Sequence, residues 1–166
     1  MKKPASLRKH LTGAVPELKR EPDKLQVFID SGKIVSAGTK SLSFEYRFTL
    51  HLLLTDYQGS ADAIMVPILA WLKIHQPELA LNANEREKAF RFEVDILNHE
   101  TCDIAIDLDL TERVAVTQTT GAGGRVRLQA EHVAEPLPAP AYGTPGFDLY
   151  DGDDKLAEWT VAPEIK

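Results

Sequence analysis

The chain predicts an α+β domain: a mainly antiparallel sheet with one long central strand, packed against two helices and followed by a C-terminal β-hairpin extension. Three observations carry this expectation. Every even position from Leu42 to Leu54 is apolar or aromatic while Ser43, Glu45, Arg47, Thr49 and His51 occupy odd ones, which is the period of a half-buried strand. The same alternation returns over residues 90–96 and 102–110, and the windows 7–20 and 60–76 carry apolar residues at helical spacing.

In chain order, Ser6 is the expected N-cap of a helix over 7–20, whose apolar stripe is Leu7, Leu11, Ala14, Val15 and Leu18. Gly13 and Pro16 weaken its middle and predict a kink or break near Gly13, because proline removes a backbone donor and crowds the preceding turn. Residues 24–30, the Ser31-Gly32 pair and 33–36 have the pattern of a β-hairpin. The long strand follows; its thirteen residues would extend about 43 Å, enough for the spine of a sheet. It is expected to end at the polar turn Thr55–Gly59.

Ser60 is the expected cap of a second helix to about Gln76, with Ile64, Met65, Ile68, Leu69 and Leu72 on one face, Pro67 inside and Pro77 as the stop. Trp71 and Met65 read as core. Residues 78–88 are polar and predict an exposed loop. Two adjacent antiparallel strands over 90–96 and 102–110 follow, their phase continuing through Val114 and Val116. Residues 117–124 predict a flexible tip before a strand at 125–130. Prolines 136, 138, 140 and 145 then mark an extended linker, and an Asp151-Gly152 turn joins the two strands of a terminal hairpin. The expected organisation is therefore a domain at 1–134, a linker at 135–146 and a hairpin extension at 147–166.

Composition narrows the function. The 166 residues suit a single core that buries about two-thirds of the unfolded surface. A net charge of −6 argues against nucleic-acid binding, which calls for a basic patch; the only basic run is Lys2-Lys3 with Arg8-Lys9. A single cysteine, Cys102, excludes an internal disulfide and suits folding in a reducing cytoplasm. The basic start has no apolar core behind it, and no window reaches the ~18 apolar residues of a membrane span, so neither export by that route nor a membrane partner is expected.

No active-site pattern emerges and no cofactor is expected. Glu93, Asp95, Asp103, Asp107 and Asp109 supply the oxygens a divalent cation needs, but strand alternation spreads them over a surface and predicts an acidic face instead. Gly121–Gly124 lacks the lysine and the following helix of a phosphate loop. His99 with Cys102 is two ligands short of a zinc set. Trp159, beyond the proline-rich linker, is an aromatic anchor for either its own domain or a neighbouring subunit.

The strings Ser41–Leu50, Thr55-Asp56-Tyr57, Met65–Leu72 and Gln76-Pro77 resemble the tail completion protein R family of contractile-tailed temperate bacteriophages. Ser6-Leu7-Arg8, Ala14-Val15-Pro16, Pro22–Leu25 with Phe28-Ile29-Asp30, and Leu110–Arg113 extend the likeness over most of residues 4–116. The resemblance implies a non-enzymatic virion protein at the head-proximal end of the tail, which terminates the tail tube and prepares it to join the head. It also implies a tail-terminator-like ring, with six copies suggested by tail symmetry. Its partners would be further copies, the tail tube protein, sheath and neck proteins, with DNA only passing through the lumen.

In that setting Glu45, Arg47, Thr49, His51 and Trp159 are candidates for subunit contact or ring surface. Glu93, Asp95, Asp103, Asp107 and Asp109 are candidates for an acidic lumenal face that repels DNA phosphate. The alternatives are a monomeric adaptor or chaperone for tail assembly and a small metal-dependent enzyme using the same carboxylates.

Overall fold

A computed structural model describes residues 1–36, 38, 41–81, 88–135 and 146–160. The polar stretch 82–87 and the prolines of the expected linker lie outside the described residues. The fold is α+β, with a mainly antiparallel sheet on two helices and a C-terminal hairpin.

Its spine is a pair of long strands, β3 (Phe44–Tyr57) and β5 (Cys102–Thr120), antiparallel from Phe44 opposite Val114 to Tyr57 opposite Cys102. Leu50, Leu52 and Leu54 face Leu108, Ile106 and Ile104 across the pair, and all six are buried, so the even positions form the floor of the core. The long strand begins two residues later than the alternation suggests and continues to Tyr57 instead of stopping before Thr55. A one-residue bulge lies between Leu54 and Tyr57, where Asp56 adopts φ 52° and its N–H donates to Asp103 Oδ1 at 2.9 Å. The extra residue reverses the parity of the strand and turns Tyr57, an odd position, into the core.

Both edges of the spine are split. On one side β1 (Leu25–Phe28) and β2 (Gly32–Ser36) do not pair with each other as a hairpin would; each pairs with β3. Phe28 lies opposite His51 and Gly32 opposite Phe48, so four steps along the edge meet three along the spine, and the two read as one edge strand with an inserted residue. On the other side β4 (Phe90–Ile96) covers the first half of β5 and β6 (Val126–His132) the last part. Residues 117–120, expected in a loop tip, belong to β5 because β6 supplies their hydrogen-bonding partners. The turn itself is confined to Gly121–Arg125, with Gly123 and Gly124 at φ 77° and 73°.

The first helix breaks at Val15, whose extended backbone precedes Pro16, giving α1 (Lys3–Ala14) and α2 (Pro16–Arg20). It also starts before Ser6. Glu112 of β5 accepts the N–H groups of Lys2 at 2.7 Å and Lys3 at 3.2 Å, capping α1 from the sheet. Ser6 is thereby inside the helix and accepts the Trp71 indole N–H at 3.1 Å.

The second helix, α3 (Asp62–His75), runs through Pro67, with the Ser60 hydroxyl accepting the Asp62 N–H at 3.3 Å. Part of the expected loop after it is a short helix, α4 (Pro77–Leu81). Leu7, Leu11 and Leu18 join Ile64, Ile68 and Trp71 over the even face of the spine.

The hairpin β7 (Gly146–Asp151) and β8 (Asp154–Thr160) lies against α1 and α3, with Ala157 buried. No helix among the described residues is long and apolar enough to cross a membrane.

Candidate assembly surface

Among the described residues, helices cover one face of the sheet and the odd-numbered face of the spine is left open. The register places His51 opposite Asp107, Thr49 opposite Asp109, Arg47 opposite Thr111 and Glu45 opposite Arg113. On the other flank Arg91 meets Asp107, Glu93 meets Ala105 and Asp95 meets Asp103. The four candidate contact residues of the long strand and all five carboxylates therefore share one continuous surface. Along the sequence they form two separate sets, because the pairing of β3 with β5 is a long-range property.

The middle of this face is a charge-compensated network. Arg91 Nη1 donates to Asp109 Oδ2 at 2.8 Å, and Thr49 donates its hydroxyl to Asp109 Oδ1 at 2.6 Å. Partial burial pushes the Asp109 carboxyl up, but these two hydrogen bonds together with the charges of Arg91 and His51 outweigh it and hold the group below its ordinary value. The Arg91 guanidinium also lies 3.8 Å from Asp107, which accepts from His51 Nδ1 at 2.7 Å. The His51 ring stacks on Phe28 with centroids 5.2 Å apart. Arg91 and Phe28 escaped sequence reasoning; Arg91 lies between apolar neighbours on β4, and only the strand register brings it to Asp107 and Asp109.

The two ends of the face differ. Toward the start of β3, Arg47 Nε donates to Glu45 at 2.6 Å, and Arg113 pairs with Glu135 at 2.7 Å. At the opposite end Asp95 lies across from Asp103, like charges facing one another. Neither Glu93 nor Asp95 has an ion-pair partner among the described residues. Asp103 has no ion-pair partner among the described residues either, but it accepts the Asp56 N–H. Among the described residues no three His, Cys, Asp or Glu side chains converge as metal ligands.

Trp159 lies elsewhere. It stacks on Phe147 with centroids 5.5 Å apart, meets His10 edge-on at 6.4 Å and packs against the core over the helices.

This organisation can be set beside known proteins. The family model described as P2 phage tail completion protein R (GpR) matches residues 1–136. The chain belongs to that family. Tail completion protein R of Escherichia phage P2 is 42% identical over 159 residues, covering 96% of this chain and 99% of the phage P2 protein. The family model thus takes in β6, beyond the stretch 4–116 whose motifs resemble the family, and the match to the phage P2 tail completion protein R extends over nearly the whole chain. No solved structure matches.

Proposed function

We propose that this protein is a non-enzymatic structural component of a phage tail that acts at the head-proximal end, terminating the tail tube and preparing it to join the head. The observation that carries this reading is the likeness to tail completion protein R of phage P2 over nearly the full length of both chains. In this reading the protein works as a ring of identical copies, six by the symmetry of tails, in contact with the tube protein and with sheath or neck proteins. The open sheet face supports it, because a rigid, polar, hydrogen-bonded surface is the kind that docks without refolding.

Within the ring, the end of the face bearing Glu93, Asp95 and Asp103 is assigned to the lumen, where fixed negative charge keeps passing DNA from adhering. Glu45, Arg47, Thr49 and His51 are assigned to subunit or tube contact.

The test is a phage carrying this gene with the gene deleted. Expected are filled heads and tubes that fail to join, with infectivity restored when the purified protein is added to the extract. Normal infectious yield without the protein would overturn the proposal.

A further inference from the structure

The last part of β5 and all of β6 leave the body as a two-stranded arm. Val114 is the last buried residue of β5 and pairs with Phe44, the first of β3. Beyond it, among the described residues, the backbone partner of β5 is β6, apart from Ser43, whose hydroxyl accepts the Val116 N–H at 2.9 Å. The arm extends about 20 Å from Val114 to Thr120. An isolated two-stranded ribbon is marginal in water.

This arm has two unlike faces. Val116, Ala130, Leu128 and Val126 share one, with Val126 and Leu128 at 53% and 52% exposure. Arg127 lies on the other. Residues 115–132 carry Arg125 and Arg127 toward the tip of the arm and one carboxylate, Glu131, at its base opposite Ala115. Neither arginine has an ion-pair partner among the described residues.

At the far end of the same sheet edge, β4 presents the complement. Its outer edge is unpaired among the described residues, and Phe92 and Ile96 on its helix-side face are 60% and 81% exposed, with Val94 between them. Its opposite face carries Glu93 and Asp95. Residues 92–104 hold four carboxylates, Glu93, Asp95, Glu100 and Asp103, and no lysine or arginine. An exposed apolar edge strand of this kind invites another strand.

We propose that the β5–β6 arm of one copy docks on the β4 edge of a second copy, strand against strand. Aligning the free edge of β6 with that of β4 sets Val126 and Leu128 beside Phe92, Val94 and Ile96 on one face. It sets Arg127 beside Glu93 and Asp95 on the other. Charge selects the occupant: the acidic edge is matched by the basic arm of the same sequence. The inference rests on the self-association in the proposed function, but on no particular number of copies.

The test uses the full-length protein, with association measured by light scattering over a concentration series. Arg125→Glu/Arg127→Glu and Glu93→Lys/Asp95→Lys are each expected to weaken association about tenfold or more while leaving the circular-dichroism spectrum, and the unfolding midpoint measured at concentrations where the protein is monomeric, unchanged. Mixing the two variants restores association, because the now acidic arm of the first meets the now basic edge of the second. A wild-type protein that stays monomeric at high concentration overturns the contact, as do variants that associate like wild type or a mixture no better than its parts. Infectivity of the deletion phage is a separate readout, so the tail role and this contact fail independently.

Discussion

Gln76 Oε1 accepts the backbone N–H of Thr111 at 3.2 Å, in the interval of the sheet edge left between β4 and β6. The Gln76 amide also donates to the Thr111 hydroxyl at 2.8 Å, while the same Oε1 accepts the Lys3 ammonium at 2.7 Å. A side chain at the end of α3 thus stands where a neighbouring strand would stand. Replacing it by alanine orphans a sheet N–H and part of a buried ammonium, so Gln76→Ala should cost about 2–4 kcal/mol in urea unfolding. Thr111→Val should cost about 1 kcal/mol and couple to Gln76→Ala in a double-mutant cycle.

Glu112 is buried in β5, yet it caps α1 and lies against His132 Nδ1. Removing it leaves two helix N–H groups without their acceptor and breaks the tie between α1 and the sheet. Glu112→Ala should therefore destabilise by about 3 kcal/mol, with Glu112→Gln milder because an amide oxygen still accepts one N–H. Denaturant midpoints decide it; equal losses for both variants would show that charge, not capping, is what counts.

His75 is buried against Trp71, its Nε2 without a partner among the described residues, and burial with the nearby Lys3 ammonium pushes its pKa down to about 4 from 6.5. His10 is shifted the same way, chiefly by burial. The unfolded chain then binds more protons than the folded one between these values, so stability falls as pH drops from 6.5 toward 4. His75 alone accounts for about 3 kcal/mol at most. His75→Phe should flatten this part of the stability profile, read from thermal unfolding at stepped pH.

Arg47 is half exposed and pairs with Glu45 on the open face. An exposed pair of this kind is worth little to folding, so Arg47→Glu should change stability by no more than ~0.5–1 kcal/mol. If this part of the face docks on a partner, the same change should reduce tail joining in an extract assay. Unaltered joining would assign the contact to another surface.

Much of the architecture is legible in local pattern. A break in the first helix, expected near Gly13 and found at Val15, the long strand, the pairing of 90–96 with 102–110 and the terminal hairpin all follow from alternation, proline and turn chemistry. Other features are not, and three of them show why. The start of α1 depends on Glu112, more than a hundred residues away, and so no capping residue marks it. Residues 24–36 read as a hairpin because two short alternating runs flank Ser31-Gly32, but each run finds a better partner in the longer β3. The bulge at Asp56 carries the strand into residues that read as a polar turn and inverts its phase, so that Tyr57 is buried.

For the candidate surface the division is sharper. Period-two alternation along residues 42–54 and 90–110 already assigns Glu45, Arg47, Thr49, His51 and the five carboxylates to the polar side of their own strands, because successive side chains point to opposite faces. It says nothing about which strands lie side by side. Register comes from burying Leu50, Leu52 and Leu54 against Leu108, Ile106 and Ile104, a packing choice made between distant segments. That choice alone brings Arg91 to Asp109, merges two sets of residues into one face and leaves β4 and the β5–β6 arm as complementary ends of a single edge.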